Sequence, residues 1–263
     1  MDTAEVLTLL QDVADQVINP RFRSLAEGDV SEKNPGDLVT VADHESEELI
    51  TEALRAAYPS ALILGEEAMA ADPALLEAFA QADHAFTVDP VDGTKNFVHG
   101  SPDHAVMVAE VRDGVTTRGW IWQPQHRTSY VAELGAGATR NGEPLHVAAT
   151  SDVDGAPYRT ARWGWRGQTL PGLGRLEASW ACCGIDYPHL IAGDAAALIY
   201  NRTMPWDHLP GGLILTEAGG YLGRHDGAPL EPLRLAGGII AAPDRATYDA
   251  VVAALPALGR PRS

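Results

Sequence analysis

Between residues 84 and 133 the chain reads as β segments in close succession: His84-Ala85-Phe86-Thr87-Val88, then AVMVAEV, VTTRGWIWQP and SYVAEL. Asp113-Gly114 separates two of these runs, and an Asp-Gly pair between apolar runs is a strong hairpin signal. Helical periodicity lies upstream. Val6, Leu9, Leu10, Val13 and Val17 recur at helical spacing within 3–27, where Pro20 predicts a kink or a break. Residues 28–40, GDVSEKNPGDLVT, read as a polar loop leading into a short extended piece. A second helix is expected at 43–57, ended by Pro59. Ala61-Leu62-Ile63-Leu64 is a short apolar strand running into Gly65-Glu66-Glu67, and residues 73–80 read as helical.

After the β block, Gly135–Gly142 is turn-rich, and its GxG stands in a hairpin context rather than at the strand-to-helix junction of a dinucleotide site. Residues 146–175 shift to Gly, Pro, Arg and Trp, which places a boundary between two halves, 1–145 and 146–263. The second half alternates: a helix near 187–197, a helix from Trp206-Asp207 to about 218, strands near 220–223 and 237–241, and a last helix at 244–254. The expected class is α/β (α+β), with alternating elements in layers and antiparallel hairpins in the first half.

A chain of 263 residues is long enough to bury a sizeable core. Its formal net charge of −17 repels phosphate backbones and anionic headgroups, which argues against nucleic-acid and membrane partners. An acidic protein still binds an anionic small molecule where metal ions recruit it. The N-terminus lacks the basic and apolar stretches of a signal peptide, and no apolar run approaches the roughly 18 residues of a membrane span. Cys182 and Cys183 are adjacent, which suits reduced thiols. A cytoplasmic protein is expected.

The strand at 84–88 runs into DPVDGTKNF, where two carboxylates stand three residues apart before a Gly-Thr. Glu66, Asp89, Asp92 and Asp207 all follow apolar segments or open helices, and ligands in layered α/β folds gather at strand ends. Each has a bland reading: a helix N-cap for Asp207, a solvated loop acid for Glu66, an Asx turn for DPVDG. Brought together, four carboxylates repel one another unless cations join them. Hard divalent ions such as Mg²⁺ prefer oxygen ligands and keep positions open for water and phosphate. A helix opened by Gly93-Thr94 would add free amides suited to an anion, the layout of metal-assisted phosphoryl hydrolysis.

Four stretches in order then make the chain resemble the inositol monophosphatase family, within the lithium-sensitive Mg²⁺-dependent phosphatases. They are Gly36-Asp37-Leu38-Val39-Thr40-Val41-Ala42-Asp43, Gly65-Glu66-Glu67, Asp89 to Phe97, and Trp206-Asp207-His208-Leu209-Pro210-Gly211-Gly212 running on to Glu217-Ala218-Gly219-Gly220. The resemblance implies a layered αβαβα sandwich, usually a homodimer, that hydrolyses a phosphomonoester by direct attack of water. It implies a first Mg²⁺ on Glu66, Asp89 and the Val91 carbonyl, a second on Asp89, Asp92 and Asp207, and a third, looser ion near Glu66. It gives Thr94, hydrogen-bonded to Asp43, the task of orienting and deprotonating the attacking water, and gives the amides of Gly93 and Thr94 the phosphate.

Substrate choice falls to the second half. The animal inositol enzymes carry a glutamate seven residues before the Trp-Asp aspartate; this chain has Tyr200 there, followed by Asn201 and Arg202. The family's small-residue stretch is replaced by Ala181-Cys182-Cys183-Gly184-Ile185-Asp186-Tyr187. The leaving group is expected against Asp92, Cys183, Gly184, Asp186 and Tyr200, with Tyr187 close by. These departures speak against myo-inositol 1-phosphate and leave open histidinol phosphate, fructose 1,6-bisphosphate or a 3′-phosphoadenosine nucleotide. A metal- or ligand-binding regulator without catalysis is the reading from another class, and the presence of every carboxylate with Thr94 and Asp43 opposes it. Lys33 is expected as a solvated charge, and Lys95 as either a surface lysine or a phosphate contact. Trp163, Trp165 and Trp180 are expected mostly to pack. His99, His104 and His208 are assigned no Mg²⁺, because such sites rarely use imidazole.

Overall fold

The computed structural model describes residues 1–149, 155–230 and 237–258. Helix α1 (Thr3–Val13) opens with a reciprocal cap between Asp2 and Glu5. It passes through a π turn at Ala14–Ile18 into α2 (Asn19–Arg21), so the chain bends around Pro20 by widening the turn before it. Strands β1 (Val30–Asn34) and β2 (Asp37–Thr40) then form a separate antiparallel hairpin where a mainly polar loop was expected. Its turn is Pro35-Gly36, and Gly36 takes a φ of +79°. The sequence hides this hairpin because it is too polar to show alternation.

Helix α3 (Val41–Ala57) follows, then β3 (Leu62–Gly65), α4 (Glu66–Ala71), α5 (Ala74–Gln81), β4 (His84–Asp92) and α6 (Thr94–Val98). Next come β5 (Ala105–Arg112), β6 (Val115–Gln123), β7 (Thr128–Glu133), β8 (Gly137–Arg140) and β9 (Glu143–Leu145). Strands β3 to β9 make one sheet in chain order, with only the β3–β4 pair parallel. The turn-rich 135–142 stretch therefore contains a strand of its own.

The remaining strands are β10 (Tyr158–Thr160), β11 (Thr169–Leu170), β12 (Gly174–Ala178), β13 (Ala197–Tyr200), β14 (Tyr221–Arg224) and β15 (Ile239–Ala242). They form a second sheet in the order β11-β12-β10-β13-β15-β14. Its helices are α7 (Cys183–Ala192), α8 (Pro205–Glu217) and α9 (Arg245–Ala254). Helix α7 starts four residues before the expected 187 and stops at Gly193, whose φ is +89°. Residues 193–196 of the expected helix form a turn, and Ala197 begins β13, an apolar run too short to show a period. Pro188 lies inside α7 and cannot donate to the Gly184 carbonyl; the Gln123 side-chain amide does so at 2.7 Å.

Helices α1 and α3 cover one face of the first sheet, α7 and α8 fill the space between the sheets, and α9 covers the far face of the second. These five layers are the αβαβα sandwich. Period-two alternation assigns the faces. Val106 and Val108 join Leu10, Ile50 and Trp120 under α1 and α3, while Ala105 and Met107 meet Tyr187, Leu190 and Ile214 in the central layer. Ile240 and Ala242 turn to Tyr248 and Val251 of α9. Each fully buried large apolar side chain contributes about 1.5–3 kcal/mol. Of the tryptophans expected to pack, Trp165 joins the outer core and Trp180 stacks on His189, but Trp163 is 79% exposed.

Candidate active site

The pairing of β4 with β5 slips by one residue between Asp89 and Asp92: Asp89 faces Met107, and Asp92 faces Ala105. In a regular strand, side chains three residues apart point to opposite faces. One extra residue in the bulge reverses that parity, and Pro90, which has no N–H to give the ladder, sits within it. Asp89 and Asp92 thus reach the same end of the sheet. Asp207, in the first turn of α8, meets them there, and one carboxylate oxygen from each lies within 4.8 Å of the other two.

This cluster is buried and short of partners. Asp89 is 1% exposed, and its Oδ1 has no hydrogen-bond partner. Burial, with the charges of Glu66, Asp92 and Asp207, holds the Asp89 carboxyl well above the usual range. Burial and the Asp92 and Glu66 charges do the same to Asp207, against a hydrogen bond with Asp89. Asp92 is pushed up to about 6 by burial, opposed by donors from the start of α7: the Gly184 amide at 2.5 Å, the Cys182 thiol at 3.1 Å and the Cys183 amide. An orphaned oxygen among three converging carboxylates is the donor set a hard divalent cation requires. The residues present fit such an ion.

Glu66 opens α4, but its carboxylate stands outside that trio. Lys33 of the β1–β2 hairpin reaches it with Nζ at 2.6 Å from Oε1 and also donates to Glu67 at 2.9 Å. Lys33 is therefore an ion-pair partner inside the cleft, not the solvated charge expected. Burial alone lowers its pKa, but the Glu66 charge and hydrogen bond raise it overall. Glu66 itself is pushed up to about 7 by burial, opposed by Lys33. The ammonium occupies the place of a cation beside Glu66.

Glu47 fixes the start of α4, and nothing in the sequence marked it. Its carboxylate accepts the amides of Glu67 and Ala68, each at 2.8 Å. The only trace is Gly65, where an added Cβ would lie 2.2 Å from the Glu47 Cδ.

Asp43, in the first turn of α3, accepts from the Thr40 amide at 2.9 Å and the Thr40 hydroxyl at 2.5 Å. Its other oxygen faces the Thr94 hydroxyl at 3.1 Å, and that hydroxyl also lies 3.0 Å from the Val91 carbonyl. Burial raises Asp43 to about 6, opposed by the Thr40 bonds. Gly93 has a φ of +81°, and a Cβ there would meet Cys182 at 2.9 Å and the Asp103 carbonyl at 3.0 Å. Only glycine lets the chain turn here and open α6 at Thr94.

On the other side of Asp207 lies a cavity of about 500 Å³, lined by Asp92, Lys95, Cys183, Asp186, Tyr200 and Arg202 among others. A second, of about 770 Å³, is lined by Lys33, Glu66 and Met69 and shares Arg202 and Asp207. Asp186 is saturated. Its oxygens accept the Trp180 amide at 2.7 Å and the Tyr200 hydroxyl at 2.8 Å, and burial still pushes it up to about 7. Gly184 contributes its amide to Asp92 and is absent from the lining, and Tyr187 is buried beneath. His208 donates from Nε2 to the Arg202 carbonyl at 3.0 Å, and its Nδ1 accepts from the Tyr187 hydroxyl at 3.2 Å. Burial lowers its pKa to about 4, so the ring is neutral. His104 is buried between Phe22 and Phe97, and His99 is bonded to the Lys95 carbonyl.

A five-layer sandwich with buried carboxylates at a bulged strand end defines a metal-assisted phosphatase class. The chain belongs to the inositol monophosphatase family, whose sequence profile matches residues 2–260, and it is a phosphoric monoester hydrolase that uses divalent metal. It is 32% identical over 228 residues to the Nus factor SuhB of Pseudomonas aeruginosa, covering 79% of this chain and 80% of that protein. It is 32% identical over 208 residues to the inositol-1-monophosphatase of Mesorhizobium japonicum, covering 75% and 76%. Among solved structures it resembles the Thermotoga maritima IMPase with a TM-score of 0.82 at 24% identity, covering 98% of this chain and all of that one. An IMPase/NADP phosphatase complexed with NADP and Ca²⁺ has a TM-score of 0.81 at 21% identity, covering 99% and 97%. No helix among the described residues is long and apolar enough to cross a membrane.

Proposed function

We propose that the cleft hydrolyses a small phosphorylated alcohol, and that the single observation carrying this reading is the buried, partnerless Oδ1 of Asp89 within the trio of aspartates. Glu66, Asp89 and the Val91 carbonyl would hold one Mg²⁺, Asp89, Asp92 and Asp207 a second, and Glu66 would share a third. When bound, the ions polarise the phosphoryl oxygens and lower the pKa of the attacking water. The Thr94 hydroxyl donates its hydrogen bond to Asp43, which turns an oxygen lone pair toward water and orients that water for in-line attack; as the water attacks, its proton would pass to Thr94 while the Thr94 proton passes to Asp43. Asp43, short of charge through burial, is the acceptor at the end of this relay. The amides of Gly93 and Thr94 would hold the phosphate.

Cys183, Asp186 and Tyr200 would face the leaving group from the smaller cavity, with Asp92 at its edge and Gly184 acting through Asp92. Tyr200 offers a ring and a committed hydroxyl where a glutamate would offer a free carboxylate, so a polyol is poorly matched. Histidinol phosphate, fructose 1,6-bisphosphate and 3′-phosphoadenosine nucleotides remain the alternatives. Relatives include a fructose-1,6-bisphosphatase/inositol-1-monophosphatase of Thermotoga maritima. The proposal extends to a lithium-sensitive, cytoplasmic homodimer, built of halves 1–145 and 146–263. With a net charge of −17 it has no nucleic-acid partner.

The test is phosphate release from these esters and inositol phosphates, with Mg²⁺ or with EDTA. Metal-dependent turnover of one ester well above the rest is expected, and Asp92→Asn should abolish it in a folded protein. Full activity of that variant contradicts the assignment.

A further inference from the structure

Asp207 belongs to a second group of side chains. A carboxylate oxygen of Asp207, the Cys183 sulfur and a ring nitrogen of His208 all lie within 4.8 Å of one another. This trio differs in chemistry from the aspartates beside it. A thiol and an imidazole are ligands for borderline-soft ions such as Zn²⁺ and Cd²⁺, and poor ones for Mg²⁺.

The surroundings of His208 suit ligation. A carbonyl only accepts, so the bond from Nε2 to the Arg202 carbonyl places the ring proton on Nε2. Nδ1 therefore carries the lone pair. Metal-binding histidines are commonly oriented by such an N–H to carbonyl bond. The Tyr187 hydroxyl, 3.2 Å from Nδ1, is the group an ion would displace. Cys183 opens α7, is not fully buried and is free of any disulfide. Both Cys183 and Asp207 line the same cavity, which leads from solvent to all three ligands. A tetrahedral zinc ion stands about 2.0–2.3 Å from each ligand, so its ligand atoms lie about 3.3–3.8 Å apart. The present spacing, within 4.8 Å, closes to this by side-chain movements of on the order of 1 Å.

We propose that Cys183, Asp207 and His208 form a binding site for a thiophilic divalent cation, distinct in its ligands from the Mg²⁺ site and sharing Asp207 with it. On binding, the Cys183 S–H gives its proton to solvent and the sulfur, the Asp207 oxygen and the His208 nitrogen each bond the ion, with water as the fourth ligand. Because Asp207 cannot serve both sites fully, Zn²⁺ opposes Mg²⁺. Only this competition rests on the proposed Mg²⁺ assignment; the site itself does not.

The experiment uses the whole reduced protein and Cd²⁺ as the probe, followed by the ultraviolet absorption of the cadmium–thiolate bond. One equivalent of Cd²⁺ should produce the band, Cys183→Ala should abolish it and weaken Cd²⁺ binding by at least about 10-fold, and Cys182→Ala should retain it. Circular dichroism establishes that each variant is folded, and His208→Gln should weaken Cd²⁺ binding while keeping a thiolate band. A band that survives Cys183→Ala, or Cd²⁺ binding unchanged by both Cys183→Ala and His208→Gln, overturns the site. Excess Mg²⁺ should reduce Zn²⁺ affinity several-fold. If the Cd²⁺ results hold and Mg²⁺ has no effect, the shared role of Asp207 falls.

Discussion

Asp89 and Asp186 both feel the charge of Asp92, each 1% exposed and each with its carboxyl raised by burial. They differ in what they hold. Asp186 has a donor on each oxygen, while Asp89 keeps an oxygen with no partner. The first is architecture that joins β13 to the residues before α7. The second is incomplete without a cation. A shifted pKa marks burial in both, so it cannot separate a ligand site from a structural tie. Hydrogen-bond satisfaction does.

The contrast is broken most directly by Asp89→Asn. Mg²⁺-dependent phosphate release should fall by on the order of a hundred- to a thousandfold. The metal-free protein should melt no lower than wild type, because a carboxylate repelled by its neighbours has been removed. Retained turnover in the assay would put the ligand set elsewhere.

Next in size is a pH effect from the satisfied carboxylate. Asp186 titrates near 7 in the fold and near its ordinary 3.8 unfolded. The folded state therefore binds the extra proton between those values, and stability falls as pH rises through that window. The loss is of order a few kcal/mol and is complete above about 7. In metal-free protein, where Asp43, Asp92 and Glu66 titrate in the same direction, denaturant midpoints should drop from pH 4 to 7. Asp186→Asn should make that drop shallower, and an equally steep drop in the variant would locate the titration elsewhere.

Tyr200→Phe sharpens the same comparison at smaller cost. It removes one donor from Asp186 and should lower stability by about 1–2 kcal/mol in urea unfolding, while Mg²⁺ binding stays as in wild type. The smallest effect is expected at Lys33. Lys33→Ala removes the ammonium that Glu66 holds, so the Mg²⁺-induced rise in melting temperature should reach half its size at a several-fold lower Mg²⁺ concentration. An unchanged or higher concentration would mean that Lys33 does not compete with the ion.

The two sides of the cleft were also unequally legible in the sequence. Asp89, Asp92, Gly93 and Thr94 stand within one short strand-end motif, where spacing and residue type announce an anion and cation site together. β segments and helical periods were long enough to show alternating elements in layers, while the five-layer order came from the family resemblance. What stayed hidden depends on register and on distant partners. The bulge that turns Asp89 and Asp92 to one face is a pairing event with β5. Lys33 reads as a surface lysine because its partners lie 33 and 34 residues away. Tyr200 and Asp186 were singled out, but the bond that ties them needs β13, a four-residue strand too short to show a period. Glu47 left a trace only in the bareness of Gly65.

The most direct test of the central claim is Mg²⁺ titration by calorimetry of wild type, Asp89→Asn and Asp186→Asn. Loss of binding in Asp89→Asn with binding intact in Asp186→Asn is the predicted result. Binding that survives in Asp89→Asn, or that disappears in Asp186→Asn, contradicts it.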